Sequence, residues 1–236
     1  MAHKEYYWPA YADLMALLMM VFLLISVSFL SKVKQQEEKQ KKTLEEYKSF
    51  KNNICLRLKN EFGNEDKKWG DMEVTCDLTI RFNNPQTLFA SGKAELTDKF
   101  KAILDDFTPR YFAILMEDTV YSKLVEVRIE GHTDTVSFSG GKDSYMENMS
   151  LSQERSREVL KYMRRCPCYN RKLEPLLTAN GYSFGRALDD DKKFAHETGN
   201  KVNNAFSRRV EFRLITKTES VIQRLQEQFQ DYKTIE

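Results

Sequence analysis

The chain has 236 residues, enough for one large domain or two small ones, and its 37 Lys and Arg residues nearly balance 35 Asp and Glu residues, giving a net charge of +2. This balance removes a generic polyanion-binding protein from the leading hypotheses, and nine Gly and five Pro residues are too few for a collagen-like or linker-rich chain. Four Cys residues are too few for a disulfide-built scaffold, so a packed core is expected.

Residues 14–30 form an uncharged apolar run in which two serines are the only polar residues. Extended back to Trp8, the run crosses a hydrocarbon core of about 30 Å at about 1.5 Å per residue. We predict a short N-terminus over 1–7 and a retained transmembrane helix over 8–30. A cleaved signal peptide is the alternative, although SFLSKVK offers no small-x-small cleavage site. Aromatic residues lie where an interfacial belt is expected (Tyr6, Tyr7, Trp8 and Tyr11).

Asp13 is an acidic residue within the first turns of this span. A charge near the bilayer centre costs about 2.5 to 3.5 kcal/mol, so a function should compensate for it. One hypothesis is that Asp13 faces a partner helix or a hydrated cavity and binds a cation transiently; the alternative is a helix N-cap after Pro9. Since a single helix cannot form a pore, the first hypothesis requires a multi-helix partner. Apolar residues continue the Asp13 face at helical spacing (Leu17, Met20, Leu24 and Val27).

The string WPAYADLMALLMMVFLL resembles the signature of the MotB family of stator B subunits. The resemblance implies that Asp13 is the ion-binding carboxylate, that the chain dimerises beside a multi-helix A subunit of the MotA type, and that the remainder of the chain is periplasmic. Many relatives carry a hydroxyl residue three positions after the Asp; Ala16 stands there here, which removes a possible sodium ligand and favours protons. The positive-inside rule opposes this orientation because five lysines follow the span (Lys32, Lys34, Lys39, Lys41 and Lys42).

Residues 31–62 are predicted to form a helical stalk, because the stretch is helix-prone and free of Gly and Pro. From Leu30, three-four spacing places apolar residues at six of nine positions through Leu58, which is a weak coiled-coil seam. A single solvated helix and a parallel dimer both remain open on these residues. The family resemblance implies the dimer.

Residues 63–216 are predicted to form a domain of the α+β class. Period-two alternation predicts strands over 74–82, 124–130 and 209–215. Apolar spacing predicts a helix through Leu96, Phe100 and Phe107, and a second helix over 152–164 with Ser152 as its N-cap. Two helices on one face of a small mixed sheet would bury these side chains. A further docking helix is predicted over 217–236, with an apolar stripe of Val221, Leu225, Phe229 and Tyr232.

Three motifs, LFASGKAEL, IEGHTDTVSFSGGKDSYMENMSLSQERSREVL and NNAFSRRVEF, resemble the OmpA-like peptidoglycan-binding domain over roughly residues 74–215. The resemblance implies that Asp134 and Arg155 recognise the diaminopimelate of a peptide stem, since a zwitterionic end needs a carboxylate for its ammonium and a guanidinium for its carboxylate. Arg155 is expected in the first turn of its helix, where free N–H groups assist an anion. The other residues matched to the pocket are Asn148, Leu151, and Arg208 or Arg209.

These matched residues also have structural alternatives. Asp134 and Asn148 could cap turns, and Arg209 could form a cross-strand ion pair near Glu211. Ser207 stands where the family pattern has Asn, so the pocket rim is expected to differ.

Metal, cofactor and enzymatic functions are not expected. His132, Asp134 and His196 lack metal-ligand spacing, and no nucleophile, base and orienting group are grouped in the sequence. A nucleic-acid partner is not expected either. Cys166 and Cys168 are poorly spaced for a mutual bridge, which leaves pairing with Cys55 or Cys76 as the hypothesis for an oxidising compartment.

The short N-terminal piece, the direct passage from stalk to wall domain and the lack of a separate amphipathic plug after Leu30 resemble the stator B subunits of Zorya anti-phage defence systems more than those of flagellar motors. The expectation is a single-pass inner-membrane protein with a cytoplasmic N-terminus that drives a stator with protons. A flagellar-type subunit and a passive tether between membrane and wall are the alternatives.

Overall fold

The computed structural model describes residues 7–83, 85–90, 92–136, 143–217 and 219. The chain divides into two compact units, Met1–Phe50 and Lys51–Glu236. Helix α1 runs as one element over Tyr7–Phe62 and continues without a break across Leu30, where the span is predicted to pass into the stalk.

The first part of α1 exposes apolar side chains on all sides. The four residues that continue the Asp13 face are 64% to 67% exposed (Leu17, Met20, Leu24 and Val27). A helix that is apolar around its whole circumference and unburied is suited to lipid. Within the described residues, α1 is the one helix long and apolar enough to cross a membrane.

The second unit is built on a five-stranded mixed sheet, and the predicted α+β class is confirmed. The strands are β1 (Met72–Thr75), β2 (Thr79–Phe82), β3 (Leu124–Gly131), β4 (Leu177–Gly181) and β5 (Val210–Thr216). Their order is β1-β2-β5-β3-β4, with β3 and β4 parallel and the other neighbours antiparallel. The two later strand predictions are therefore correct to within a residue.

The predicted single strand over 74–82 is wrong. Thr75 pairs with Thr79 across an antiparallel hairpin, and Leu78 in the turn has φ of 63°, a left-handed conformation that ends an extended strand. The Thr75 hydroxyl donates to the Asp77 carboxylate within this turn. Local polar hydrogen bonds of this kind favour a turn over a continuous strand. For this reason the alternating pattern over 74–82 wrongly predicted one strand.

Seven further helices lie in the described part of the chain. They are α2 (Asp66–Trp69), α3 (Pro85–Leu88), α4 (Asp98–Leu115), α5 (Asp118–Tyr121), α6 (Ser144–Met163), α7 (Ala195–Thr198) and α8 (Asn204–Ser207), with a 3-10 helix at Arg171–Leu173. The predicted helix over 217–236 falls mostly on residues outside the described ranges.

Helix α4 supplies the aromatic core. Thr97 caps it by accepting a hydrogen bond from the Phe100 amide, and the helix continues past the exposed Pro109. The Phe107 ring lies 4.8 Å from the Phe212 ring of β5 and 5.6 Å from Phe82 of β2, measured between centroids. Each buried aromatic contributes about 1.5 to 3 kcal/mol, so α4 is anchored on the sheet at this point.

Helix α6 begins eight residues before the predicted N-cap. Asp143 is the N-cap and accepts a hydrogen bond from the Met146 amide at 3.1 Å. Ser152 lies inside the helix, is completely buried, and accepts a hydrogen bond from the Ser183 amide at 3.0 Å. Asp is as effective an N-cap as Ser, so the sequence did not decide between them. The contact with Ser183 shows that Ser152 instead holds α6 against the segment after β4.

Two glycines let α6 approach the ends of β3 and β4. A Cβ atom on Gly131 would lie 2.2 Å from the Ser152 carbonyl oxygen, and one on Gly181 would lie 2.4 Å from the Gln153 nitrogen. No larger residue fits at either position. This close packing sets the position of α6 relative to the segment that follows β3.

The disulfide prediction is wrong in its pairing. Cys55 in the last turns of α1 bonds to Cys76 in the β1–β2 turn, and Cys166 bonds to Cys168. After Met163 the chain turns, with the Cys166 amide donating to the Met163 carbonyl. The turn brings the Cα atoms of Cys166 and Cys168 to 5.1 Å, within bridging range despite the short spacing.

Candidate functional site

Four predicted site residues meet where β3 has ended, beside residues 148–155 in the middle of α6. Asp134 follows β3 by three residues, Asn148 and Arg155 lie two turns apart on α6, and Arg208 precedes β5. Residues seven apart share a helix face, so α6 presents both side chains on one side. The site therefore joins three separate segments of the chain.

Asp134 combines a structural contact with an ion pair. Its Oδ1 accepts a hydrogen bond from the Val136 amide at 3.1 Å, which caps the turn after β3. Its Oδ2 lies 3.3 Å from Nη1 of Arg208. The side chain is nearly buried, so this carboxylate is held in one orientation with a cation beside it.

Arg155 is the most strongly perturbed residue of the site. Its side chain lies over the Phe89 ring at 4.8 Å, and its Nε donates to the Lys93 carbonyl at 3.0 Å. Burial lowers the pKa of Arg155 to about 10, Asp134 opposes this effect and Arg208 adds to it. Within the described residues, no carboxylate oxygen lies within 4 Å of the guanidinium. A desolvated guanidinium without a counterion is poised to take an anionic ligand.

The expected assistance from a helix N-terminus is wrong. Arg155 is the twelfth residue of α6, because the helix begins at Ser144, so the free N–H groups of the first turn are not beside it. Its surroundings come instead from the LFASGKAEL segment, which contributes Phe89 and the Lys93 carbonyl. The family motif identified this segment, but no local sequence pattern predicted which of its atoms would contact the Arg155 guanidinium.

Asn148 and Leu151 are two further predicted site residues, and both lie on α6. The Asn148 side-chain amide donates to the Val136 carbonyl at 3.2 Å and to the Ser144 carbonyl at 3.0 Å, which ties the turn after β3 to α6. Asn148 and Leu151 are both buried. Asn148 therefore has the turn-holding role that was its structural alternative.

The adjacent arginines separate into different environments. Arg208 pairs with Asp134, whereas Arg209 is fully buried and its Nε lies 2.5 Å from Glu211 Oε1. Burial lowers the pKa of Arg209, and the charge of Glu211 opposes this effect. Arg209 is thus part of the fold, as an ion pair with Glu211 itself. Ser207 is also buried and accepts a hydrogen bond from the Leu188 amide.

His132 belongs to the same buried charge cluster. It stacks on Tyr182 at 5.4 Å, and its Nε2 lies 3.6 Å from Glu130 Oε2 and 3.9 Å from Glu211 Oε2. Burial lowers the pKa of His132, and the charge of Arg209 lowers it further, so the ring is neutral at pH 7.

The two histidines are not brought together, since His196 is exposed beside Phe194. Glu130, His132 and Glu211 have ligand atoms within 4.8 Å of one another. Three arginines already neutralise these carboxylates, which disfavours a cation there (Arg81, Arg186 and Arg209).

Asp13 lies in the other unit, within helix α1. It is the seventh described residue of α1, too far from Tyr7 to cap the helix, so the capping alternative is wrong. The side chain is exposed, and in the described part of the chain no cationic nitrogen lies within 4 Å of it. The carboxylate is left among apolar side chains.

No protein-family model matches the chain. Among curated proteins, the Zorya protein ZorB of Escherichia coli strain Crooks is 37% identical over 226 residues, covering 93% of this chain and 92% of that protein. This chain belongs to the ZorB family. A second ZorB, from Escherichia coli O139:H28, is 27% identical over 218 residues, covering 88% of this chain and 79% of that protein.

Solved structures similar to this ZorB-family chain include a MotB-like protein from Desulfovibrio vulgaris. It is 22% identical, with a TM-score of 0.47, and the match covers 70% of this chain and 94% of that one. The cell wall anchor of the T6SS from Pseudomonas aeruginosa is also 22% identical, with a TM-score of 0.43, and the match covers 68% and 97% of the two chains.

The chemistry available to this ZorB-family chain is therefore of two kinds. One unit presents a carboxylate on an apolar segment of helix, and the other presents a guanidinium that has no ion-pair partner among the described residues, near a carboxylate that is fixed in place. The first can bind and release a cation; the second can hold a ligand that carries both an anionic and a cationic group.

Proposed function

We propose that this ZorB-family chain is the B subunit of a proton-driven rotary stator that is anchored to peptidoglycan and acts in Zorya anti-phage defence. The observation that carries the proposal is Asp13, an ionisable side chain in the part of α1 over residues 8–30, which exposes apolar side chains on all sides. A passive membrane anchor has no use for a charge that costs about 2.5 to 3.5 kcal/mol near the bilayer centre.

In this proposal Asp13 of each of two chains takes a proton from the outside and releases it inward. Movement of one charge through 100 mV supplies about 2.3 kcal/mol. Because the Asp13 face of α1 is otherwise apolar, the hydrated path must come from a multi-helix A subunit of the MotA type, as in the family that the span resembles. Ala16 offers no hydroxyl for a sodium ion, which supports the proton.

The wall anchor is assigned to Asp134 and Arg155. The terminal N–H groups of the Arg155 guanidinium would bind the carboxylate of a peptide stem, and Asp134 would bind the ammonium group of the same stem. Arg208 would hold the Asp134 carboxylate in its orientation. Binding an anion would also relieve the cost of the desolvated guanidinium.

In the proposed orientation the N-terminus lies in the cytoplasm and the C-terminal domain lies in the periplasm. Two disulfides support this assignment, because such bonds persist in oxidising compartments and are rare in the cytosol. The lysines after the span favour the opposite orientation. We give the disulfides more weight because the fold brings both pairs of cysteines within bridging distance, with Cα atoms 5.1 Å apart in each.

The test is Asp13→Asn in the full-length chain co-produced with its A subunit. We expect proton flux to be abolished while the complex still assembles, because Asn keeps the size of the side chain but cannot carry a proton. Ser26→Ala, a polar change within the same span, is the matched control and should leave flux unchanged. Normal flux in the Asp13→Asn complex would contradict the proposal, and the passive tether between membrane and wall would remain as the alternative function.

A further inference from the structure

A concave surface beside the C-terminal half of α6 is strongly basic, and we call it the α6 groove. Its volume is about 570 Å³, and it is lined by Arg157, Leu160, Lys161, Arg164, Arg165, Tyr169, Arg171 and Glu174. Arg157 is two residues beyond Arg155 and so lies about 200° round the helix from it. The groove is therefore distinct from the site that contains Asp134.

The groove carries more positive charge than its neighbours neutralise. Arg164 pairs with Glu174 at 3.1 Å, and Lys161 pairs with Glu158 at 3.2 Å. In the described part of the chain, three further cations have no carboxylate oxygen within 4 Å (Arg157, Arg165 and Arg171). The local surplus of three charges exceeds the net charge of +2 of the whole chain.

Aromatic rings order two of these guanidinium groups. Arg164 lies over the Tyr169 ring at 5.3 Å, and Arg165 lies over the Tyr162 ring at 5.9 Å. Such contacts restrain the side chains, so less freedom is lost when a ligand binds. Four of the five cations are Arg, whose planar fork matches phosphate oxygens in pairs.

The cations form a row. Arg157 and Lys161 lie one turn apart on α6, about 6 Å along its axis, and Arg165 follows four residues later in the turn after Met163, where the helix ends. A single small anion would meet only one end of it. A row of cations with a high density of positive charge fits several anionic groups linked in a chain.

We propose that the α6 groove binds a linear polyanion with phosphate groups linked in series. Phosphate is the ligand because a guanidinium can bind two of its oxygens at once and because each group brings a full negative charge within a short length. The ligand lies along α6 and contacts the three uncompensated arginines. This assignment does not depend on the wall-binding or proton-carrying roles.

The test uses the full-length chain in nanodiscs of phosphatidylcholine, whose headgroups carry no net charge. Long-chain polyphosphate and orthophosphate are titrated separately by calorimetry at two salt concentrations. We expect the chain-linked phosphate to bind at least about tenfold more tightly than orthophosphate, with an affinity that falls as salt rises. Arg157→Gln/Arg165→Gln/Arg171→Gln should lose about tenfold or more of this affinity.

The matched control is Lys59→Gln/Lys99→Gln/Lys201→Gln, which removes the same charge from exposed lysines outside the groove. It should retain affinity within about twofold. Equal losses in both triple variants would mean diffuse attraction, and equal affinity for orthophosphate would mean a single-ion site; either result overturns the proposal.

A lipid surface is the competing source of phosphate. Phosphatidylglycerol vesicles are added to the same nanodiscs and the bound fraction is measured by co-sedimentation. Binding to vesicles without binding to soluble polyphosphate would overturn the proposal in favour of lipid headgroups. If the triple variant does not fold, Arg171→Glu alone replaces it, and an unchanged polyphosphate affinity in that variant would also overturn the proposal.

Discussion

Arg155 is fixed by the Lys93 carbonyl and the Phe89 ring while the rest of its guanidinium has no carboxylate partner in the described structure. Arg209, of the same residue type, is enclosed by Glu211 and by backbone carbonyls. The two environments differ because Arg209 lies two residues from Glu211 and pairs with it, whereas Arg155 meets a backbone carbonyl and a ring. A guanidinium is available to an anionic ligand where the fold removes it from water without placing a carboxylate beside it.

The Asp134 and Arg155 assignments make a residue-scale prediction. Asp134→Asn and Arg155→Lys should each weaken sedimentation with peptidoglycan sacculi by about tenfold or more, since a charge-assisted hydrogen bond contributes about 1.5 to 3 kcal/mol. Lys keeps the charge of Arg155 but lacks its fork. Asp98→Asn, at an exposed surface pair, is the control. Wild-type sedimentation of both site variants would refute the assignment.

The buried pair of Glu211 and Arg209 makes a second prediction. Glu211→Gln should lower the free energy of unfolding by about 3 to 5 kcal/mol, because it leaves a buried guanidinium without its counterion. Urea unfolding of the full-length chain in neutral detergent measures this. Glu154→Gln, exposed on α6, should change little; a similar small change in Glu211→Gln would show that the pair is dispensable.

The same variant should alter acid sensitivity. Burial raises the pKa of Glu211, but the charges of Arg209 and Arg81 outweigh burial and hold it well below the ordinary 4.5. A depressed folded pKa means that the ionised group stabilises the fold above about pH 4.5 and that this stability is lost as pH falls through the folded pKa. The wild-type chain should lose stability in that window, and Glu211→Gln should lose less there.

At the scale of elements, the last turns of α1 are integrated into the second unit. Phe62 lies 5.1 Å from Phe107 of α4, and Glu61 pairs with Arg110 at 2.6 Å. The Cys55–Cys76 bond joins the same turns to the β1–β2 hairpin. Force applied along the end of α1 therefore enters the domain through packed, ionic and covalent contacts together.

The two disulfides should differ in their contribution to stability. Cys55 and Cys76 are 21 residues apart, and closing a loop of that length stabilises by about 3 kcal/mol, whereas the two-residue separation of Cys166 and Cys168 gives about half as much. Cys55→Ala/Cys76→Ala and Cys166→Ala/Cys168→Ala form a matched pair for urea unfolding in detergent. An equal loss in both, or a larger loss in the second, would contradict this.

At the scale of the whole molecule, the near-zero net charge is the sum of unlike parts. An apolar span with one acidic residue, a lysine-rich continuation of α1 and a domain with a basic groove add up to +2. The orientation of these parts across the membrane decides from which side of the membrane protons reach Asp13.

That orientation makes a prediction for intact cells. A thiol-reactive reagent that reaches both compartments should leave all four cysteines of the full-length chain unmodified until a reductant is added. Alkaline phosphatase fused after Glu236, which requires disulfides for activity, should be active. A variant lacking residues 1–30 should remain cytoplasmic and give inactive fusions. Reactive thiols and an inactive full-length fusion would place the domain in the cytoplasm.

Local features were predictable from the sequence. The long helix, β3 and β5 follow from periodicity and composition, and the site segments were marked by motifs at Asp134, Arg155 and Arg208. The start of α6 was misplaced because Ser and Asp are comparable caps, and the sequence alone did not distinguish Asp143 from Ser152. Strand β4 was missed because LTANG has no apolar alternation.

The sequence by itself determined that one apolar helix carries Asp13 and that an α+β domain follows, because period and composition are properties of neighbouring residues. Only the tertiary structure decided that Arg208 meets Asp134, that Arg209 is buried against Glu211, and that Cys55 bonds to Cys76. Contacts of that kind depend on sheet order and on how closely α6 can approach, which no local pattern encodes.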